Sequence, residues 1–212
     1  MYLKVKRSID ILLSSIGLIV LSPVFLVLII AIKRDSKGPI LFKQKRVGIH
    51  ASHFNMFKFR TMKIDTPKDT PTHLLENPEQ YITKMGMFLR KTSLDELPQI
   101  WNIFSGKMSI IGPRPALWNQ YDLIEEREKY GANDVPPGLT GWAQINGRDE
   151  LPIEIKAKLD GEYVRKISLW MDIKCFLGTI FSVLKSDGVV EGKNDPAKEE
   201  DSNIDTKEYL SK

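Results

Sequence analysis

The sequence is most informative at first for what it lacks. There is one cysteine, Cys175, in 212 residues, so no internal disulfide can form, and a reducing compartment is the simplest home. Three histidines and one cysteine leave no zinc-ligand spacing. Neither a Walker loop nor a dinucleotide fingerprint occurs, and there are no internal repeats. No recognised nucleic-acid motif accompanies the basic residues, many of which flank one apolar run, so no nucleic-acid partner is expected.

What is present suits one compact domain plus an appendage. Hydrophobic residues make up 42% and charged residues 27%, enough for a sizeable core. The net charge of +4 favours anionic partners. From Ile11 to Ile32 there is no charge at all. That is about 22 residues, or ~33 Å of helix, enough to cross a hydrocarbon core of ~30 Å. A signal peptide is disfavoured, because the run is too long and no small-residue cleavage site follows. Lys4, Lys6 and Arg7 precede the run, and Lys33, Arg34 and Lys37 follow it. Basic residues belong on the cytoplasmic side, so a simple crossing is frustrated at one end. Ser22-Pro23 lies mid-run, where proline kinks a helix and Ser22 can satisfy a freed backbone group. The residues alone allow both a bent helix that enters and leaves by one leaflet and a spanning helix.

Beyond Asp35-Ser36-Lys37-Gly38-Pro39, a turn-rich boundary, the pattern shortens. Ile40–Phe42 and His53–Phe59 read as extended segments, and 64–80 as a loop. Helices are expected over Tyr81–Arg90, Leu97–Phe104, Asn119–Tyr130 (stopped by Gly131), Glu154–Lys166 and Leu169–Leu184. Pro136 to Gly147 reads as a glycine-rich loop. The apolar residues of Leu169–Leu184 cover most of its circumference, which favours a core helix over an interfacial one. Past Gly192 the chain turns polar and reads as a disordered tail.

Four stretches could carry chemistry. Ser93-x-x-Glu96 matches a capping box, although Pro98 makes its register ambiguous. The same geometry could serve function. A helix N-terminus attracts phosphate, and Arg90 and Lys91 lie just upstream. Asp95 or Glu96 could attack phosphorus or hold Mg²⁺ there. In Gly112-Pro113-Arg114-Pro115 two prolines flank one arginine, which suits a phosphate clamp or merely a rigid turn. Lys58-Phe59-Arg60 puts two cations near a strand end, a weak pattern alone. In the loop from Pro137 to Arg148, Trp142 could stack a base or pack in the core, and Gln144, Asn146 and Arg148 could bind polar groups.

Together these segments resemble the monotopic phosphoglycosyl transferases, bacterial sugar transferases that initiate glycan assembly. The resemblance rests on the Ser22-Pro23 run, KFRTM, RKTSLDELPQIWNIFSGKMSIIGPRP and PGLTGWAQINGR, in that order, over roughly residues 1–190. It is closest to the minimal catalytic form. It implies an α+β, mostly helical fold. A re-entrant helix kinked at Ser22 and Pro23 (1–36) would precede a cytosolic catalytic domain with interfacial helices and short strands (37–190) and a polar tail (191–212). It implies transfer of a sugar-1-phosphate from a UDP-sugar to undecaprenyl phosphate, with release of UMP, at the cytoplasmic face of the inner membrane. An inactive scaffold for glycan-assembly enzymes is the alternative. Asp95 is the implied nucleophile and Mg²⁺ ligand. Glu96 assists, by handling the lipid phosphate's proton or by positioning it. Lys58, Arg60, Arg90, Arg114, Gln144 and Arg148 are implied substrate or phosphate contacts. The bilayer, a second copy and downstream glycosyltransferases are the further partners implied. The resemblance leans toward an N-acetylated sugar, with a galactose-type donor as the alternative.

Overall fold

A computed structural model describes residues 2–66, 78–147 and 151–184. The expected 191–212 tail, most of the 64–80 loop and Arg148 lie outside them. The fold is mixed and mostly helical, as expected. The apolar run forms two helices, α1 (Tyr2–Val20) and α2 (Ser22–Asp35), bent by 59°. Neither is long and apolar enough to cross a membrane alone, although the bent pair passes together by length and composition. The break follows from Pro23, which has no N–H for the carbonyl of Ile19. The Ser22 hydroxyl donates to that carbonyl instead, at 2.7 Å. Ser22 thus has the role expected of it.

Three polar residues of α1 are not solvated. Lys6, Asp10 and Ser14 recur at helical spacing and are all buried. The Asp10 carboxylate accepts from Ser109 Oγ at 2.8 Å and from the Ile110 N–H at 3.0 Å. Asp172 accepts from Lys6 Nζ at 2.7 Å, Tyr2 OH at 2.6 Å and Tyr163 OH at 2.7 Å. Arg7 donates to the carbonyls of Ile103 and Phe104. Two of the three cations before the run are therefore committed to the fold, and only Lys4 stays exposed. The far end of the pair is tied as well. Arg60 donates to the carbonyls of Ser36 and Lys37, and the Met85 N–H donates to Asp35. Both ends of the bent pair are thus fastened to the same globular body.

That body begins with an antiparallel hairpin, β1 (Leu41–Val47) and β2 (His53–Phe59), paired from Leu41–Phe59 to Val47–His53. Helices α3 (Lys84–Lys91) and α4 (Gln99–Phe104) follow, separated by a 3-10 turn over Leu94–Glu96. Then come β3 (Ser109–Ile111), α5 (Tyr121–Glu128), β4 (Gly138–Thr140), α6 (Trp142–Ile145), α7 (Ile153–Arg165) and α8 (Leu169–Leu184). The glycine-rich segment is no plain loop, because it pairs β4 in parallel with β3. Its glycines permit close approach. A Cβ at Gly141 would sit 2.1 Å from the Gly112 carbonyl oxygen.

One core unites α2, β2 and α3 through Leu28, Ile32, Phe59 and Leu89, with Leu94 and Leu97 packed against it. A buried Arg127–Asp160 pair at 2.6 Å joins α5 to α7. Helix α8 is split lengthwise, which corrects the core-helix expectation. Met171 and Cys175 are buried against Ile111 and Tyr163, whereas Trp170, Phe176 and Phe181 are exposed. Large apolar side chains are also exposed on α1, α2 and α4, among them Leu12, Ile19, Val27 and Trp101.

Candidate active site

The carboxylates stand where α2, α3 and β2 meet. Leu94 and Leu97 sink into the core on either side, and this holds the intervening turn rigid. The turn is not the expected helix start. Ser93 takes a left-handed backbone, φ 55°, and makes no capping hydrogen bond, so the capping-box reading is corrected. The cause is Pro98, which becomes the residue before α4 and pushes that helix beyond the carboxylates.

Asp95 is 9% exposed. Lys58, from β2, reaches over the turn. Its ammonium bonds Glu96 Oε1 at 2.7 Å and stands 3.9 Å from Asp95 Oδ2. Arg114 approaches the same Glu96 oxygen at 3.4 Å. Arg90 donates from Nε to Thr61 Oγ1 at 3.0 Å. Burial raises the Asp95 carboxyl above its ordinary range, with Glu96 adding to the rise and Lys58 and Arg90 only partly opposing it. Burial also pushes Glu96 up, but Lys58 and Arg114 outweigh it and hold that carboxyl at about 2. Two adjacent acids are thus driven apart. One is an ion-paired anion, and the other is a buried carboxylate with a raised proton affinity.

The structure gathers Lys58, Asp95, Glu96 and Arg114, from three segments far apart in sequence, and Arg90 adds to the field at Asp95. Arg60 does not join them. Expected as a phosphate contact, it is here buried and turned to the end of α2, where it closes that helix. Gln144 lies on α6 behind Gly112, within 2.9 Å of a Cβ built at Gly141, and its amide has no partner among the described residues. Trp142 packs in the core and donates to Glu162, the more modest of the two readings. A cavity of about 220 Å³ lies between α1 and α8 rather than at the carboxylates. No group of three or more His, Cys, Asp or Glu that could hold a metal occurs among the described residues. One carboxylate suffices for Mg²⁺, which leaves its other positions to water and substrate phosphates, so Asp95 is the residue that would hold it.

Residues 1–186 match the family described as bacterial sugar transferase. The chain belongs to that family. It is 42% identical over 184 residues to the UDP-glucose:undecaprenyl-phosphate glucose-1-phosphate transferase of Escherichia coli K12, covering 83% of this chain and 39% of that protein. The uncharacterized sugar transferase EpsL of Bacillus subtilis is 40% identical, with 87% and 89% covered. The UDP-galactose-lipid carrier transferase of Erwinia amylovora is 36% identical, with 86% and 41% covered. The chain spans about two fifths of the length of the Escherichia and Erwinia relatives. Family membership is as the motifs implied.

Proposed function

We propose that this sugar transferase is a phosphoglycosyl transferase. It moves a sugar-1-phosphate from a UDP-sugar to undecaprenyl phosphate. The observation that carries this reading is the divided carboxylate pair. Asp95 is buried and its carboxyl is raised beside a cation whose hydrogen bond goes to Glu96.

In the first step an Asp95 oxygen attacks the sugar-bearing phosphorus. The bond from that phosphorus to the bridging oxygen breaks, and UMP leaves with the electron pair. In the second step an oxygen of the lipid phosphate attacks the same phosphorus. The bond to Asp95 breaks, which restores the carboxylate and gives the lipid diphosphate sugar. Lys58, Arg90 and Arg114 stabilise the negative charge of the diphosphate. A carboxyl held at about 2 is a poor proton acceptor at neutral pH, so Glu96 acts by orienting Lys58 and Arg114. Mg²⁺, held by Asp95 and diphosphate oxygens, would neutralise further charge.

The bent pair supports a re-entrant seat in one leaflet. A spanning helix would part its two ends, yet here both are fastened to one body. Exposed Lys33, Arg34 and Lys37 favour the cytoplasmic face, where UDP-sugars are. The exposed faces of α4 and α8 would lie at the lipid surface. The names of the Escherichia and Erwinia relatives carry glucose and galactose, so those donors come first, ahead of the N-acetylated donor that the resemblance favoured.

The test is the intact mass of the purified protein after incubation with Mg²⁺ and single UDP-sugars, without lipid. One donor is expected to add one phosphosugar, and Asp95→Asn to add none. If no donor gives an adduct, and none gives UMP once undecaprenyl phosphate is supplied, the scaffold reading replaces this one.

A further inference from the structure

Lys58 reaches both carboxylates, but the carboxylate turn does not itself fix where β2 lies. β2 has two edges. Met56 and Lys58 are among its residues whose backbone groups face β1, so those of Asn55 and Phe57 point the other way. No strand pairs with that second edge among the described residues. Asn102 occupies it. Its Oδ1 accepts from the Phe57 N–H at 3.0 Å, and its Nδ2 donates to the Asn55 carbonyl at 2.8 Å. One side-chain amide thus makes the donor–acceptor pair that a neighbouring strand residue would make. Asn102 is 1% exposed, so neither bond is diluted by water.

Asn102 lies on α4, and Leu97 and Pro98 alone join α4 to the Asp95-Glu96 turn. A short closed circuit results. It runs from the carboxylate turn through α4 to Asn102, across to Phe57, one residue along to Lys58, and back to Glu96 at 2.7 Å. We infer that Asn102 is a positioning residue, a one-residue strand substitute that holds Lys58 in register with Asp95 and Glu96. Its effect on turnover rests on the function proposed above, but its effect on Lys58 does not. Asn102→Ala removes both bonds and leaves a buried N–H and C=O unpaired, so strand and ammonium are free to drift.

The experiment reads Lys58 directly. The folded protein is dimethylated on its lysines with ¹³C, and the Lys58 resonance is assigned by its loss in Lys58→Arg. Asn102→Ala, shown folded by circular dichroism, is expected to move that resonance toward its position in Glu96→Gln. An unmoved resonance overturns the inference, whatever the activity. Turnover then tests the catalytic consequence. Asn102→Ala is expected to lower kcat about 10-fold or more, and Lys58→Met about 100-fold. The double variant should be no worse than Lys58→Met alone, because Asn102 acts through Lys58. Losses that multiply would reduce Asn102 to a general stabiliser. A wild-type protein without turnover would remove the proposed function and leave the resonance test standing.

Discussion

Two polar constellations in this molecule use the same ingredients to opposite ends. At the joint between α1 and the body, Asp10 and Asp172 are matched to a serine hydroxyl, a backbone N–H, a lysine and two tyrosines. At the corner between α2, α3 and β2, one lysine faces two carboxylates and bonds only Glu96. Satisfied acids of the first kind specify a geometry. A buried acid that shares its cation keeps a raised proton affinity, the kind of shift that marks a reactive group.

Changes at the corner and the joint should therefore have unlike effects. Asp95→Asn should reduce turnover by about 10³-fold or more, while the melting temperature rises. The sign follows from the raised carboxyl. Ionising Asp95 costs more in the folded chain than in the unfolded one, and this penalty, present at neutral pH, disappears with the charge. For the same reason, wild-type turnover should fall on acidification from above the ordinary carboxylate range. A melting temperature that drops in Asp95→Asn would break the contrast. Asp172→Ala should do the reverse. It leaves Lys6 buried without its partner and should cost about 3–5 kcal/mol in denaturant unfolding, while the protein still folded at low temperature forms the phosphosugar adduct.

Smaller effects divide the corner itself. Glu96 is depressed, so it contributes stability that is fully present above its unfolded pKa of 4.5 and is lost as pH falls toward about 2. Glu96→Gln should therefore be less stable than wild type by up to about 3 kcal/mol at pH 7, with the gap closing near pH 2. A gap independent of pH would count against the ion pairs. Ser93→Gly should relieve the left-handed backbone and raise stability by about 1 kcal/mol, measured by thermal melting.

Much of this was legible in the sequence, and the gaps have physical causes. β2 and α8 fall on the expected bounds because their apolar patterns are one-sided or dense. β1 runs on to Val47 past the expected Phe42, since Lys43 to Arg46 are too solvated to show a buried face. β3, β4 and α6 were hidden because glycine-driven close approach leaves no periodicity to read. At the candidate site Lys58 and Arg114 face the carboxylates, whereas Arg60 turns toward a helix end, which spacing cannot reveal. Asn102 gave no signal, since a strand edge without a strand is invisible in one dimension. The joint did give one. Lys6, Asp10 and Ser14 form a polar stripe on an otherwise apolar helix, and such a stripe implies a polar partner.

The wide separation of that joint's two halves has a consequence for how the protein is made. Lys6 leaves the ribosome 166 positions ahead of its partner Asp172. At about 5–20 residues per second, α1 waits on the order of ten seconds for the clasp that closes over it. Asp10 meets Ser109 and Ile110 earlier, 99 and 100 positions after it, but Lys6 lacks its partner for the whole interval. The joint therefore closes in two stages, with β3 engaging α1 first and α8 completing the clasp.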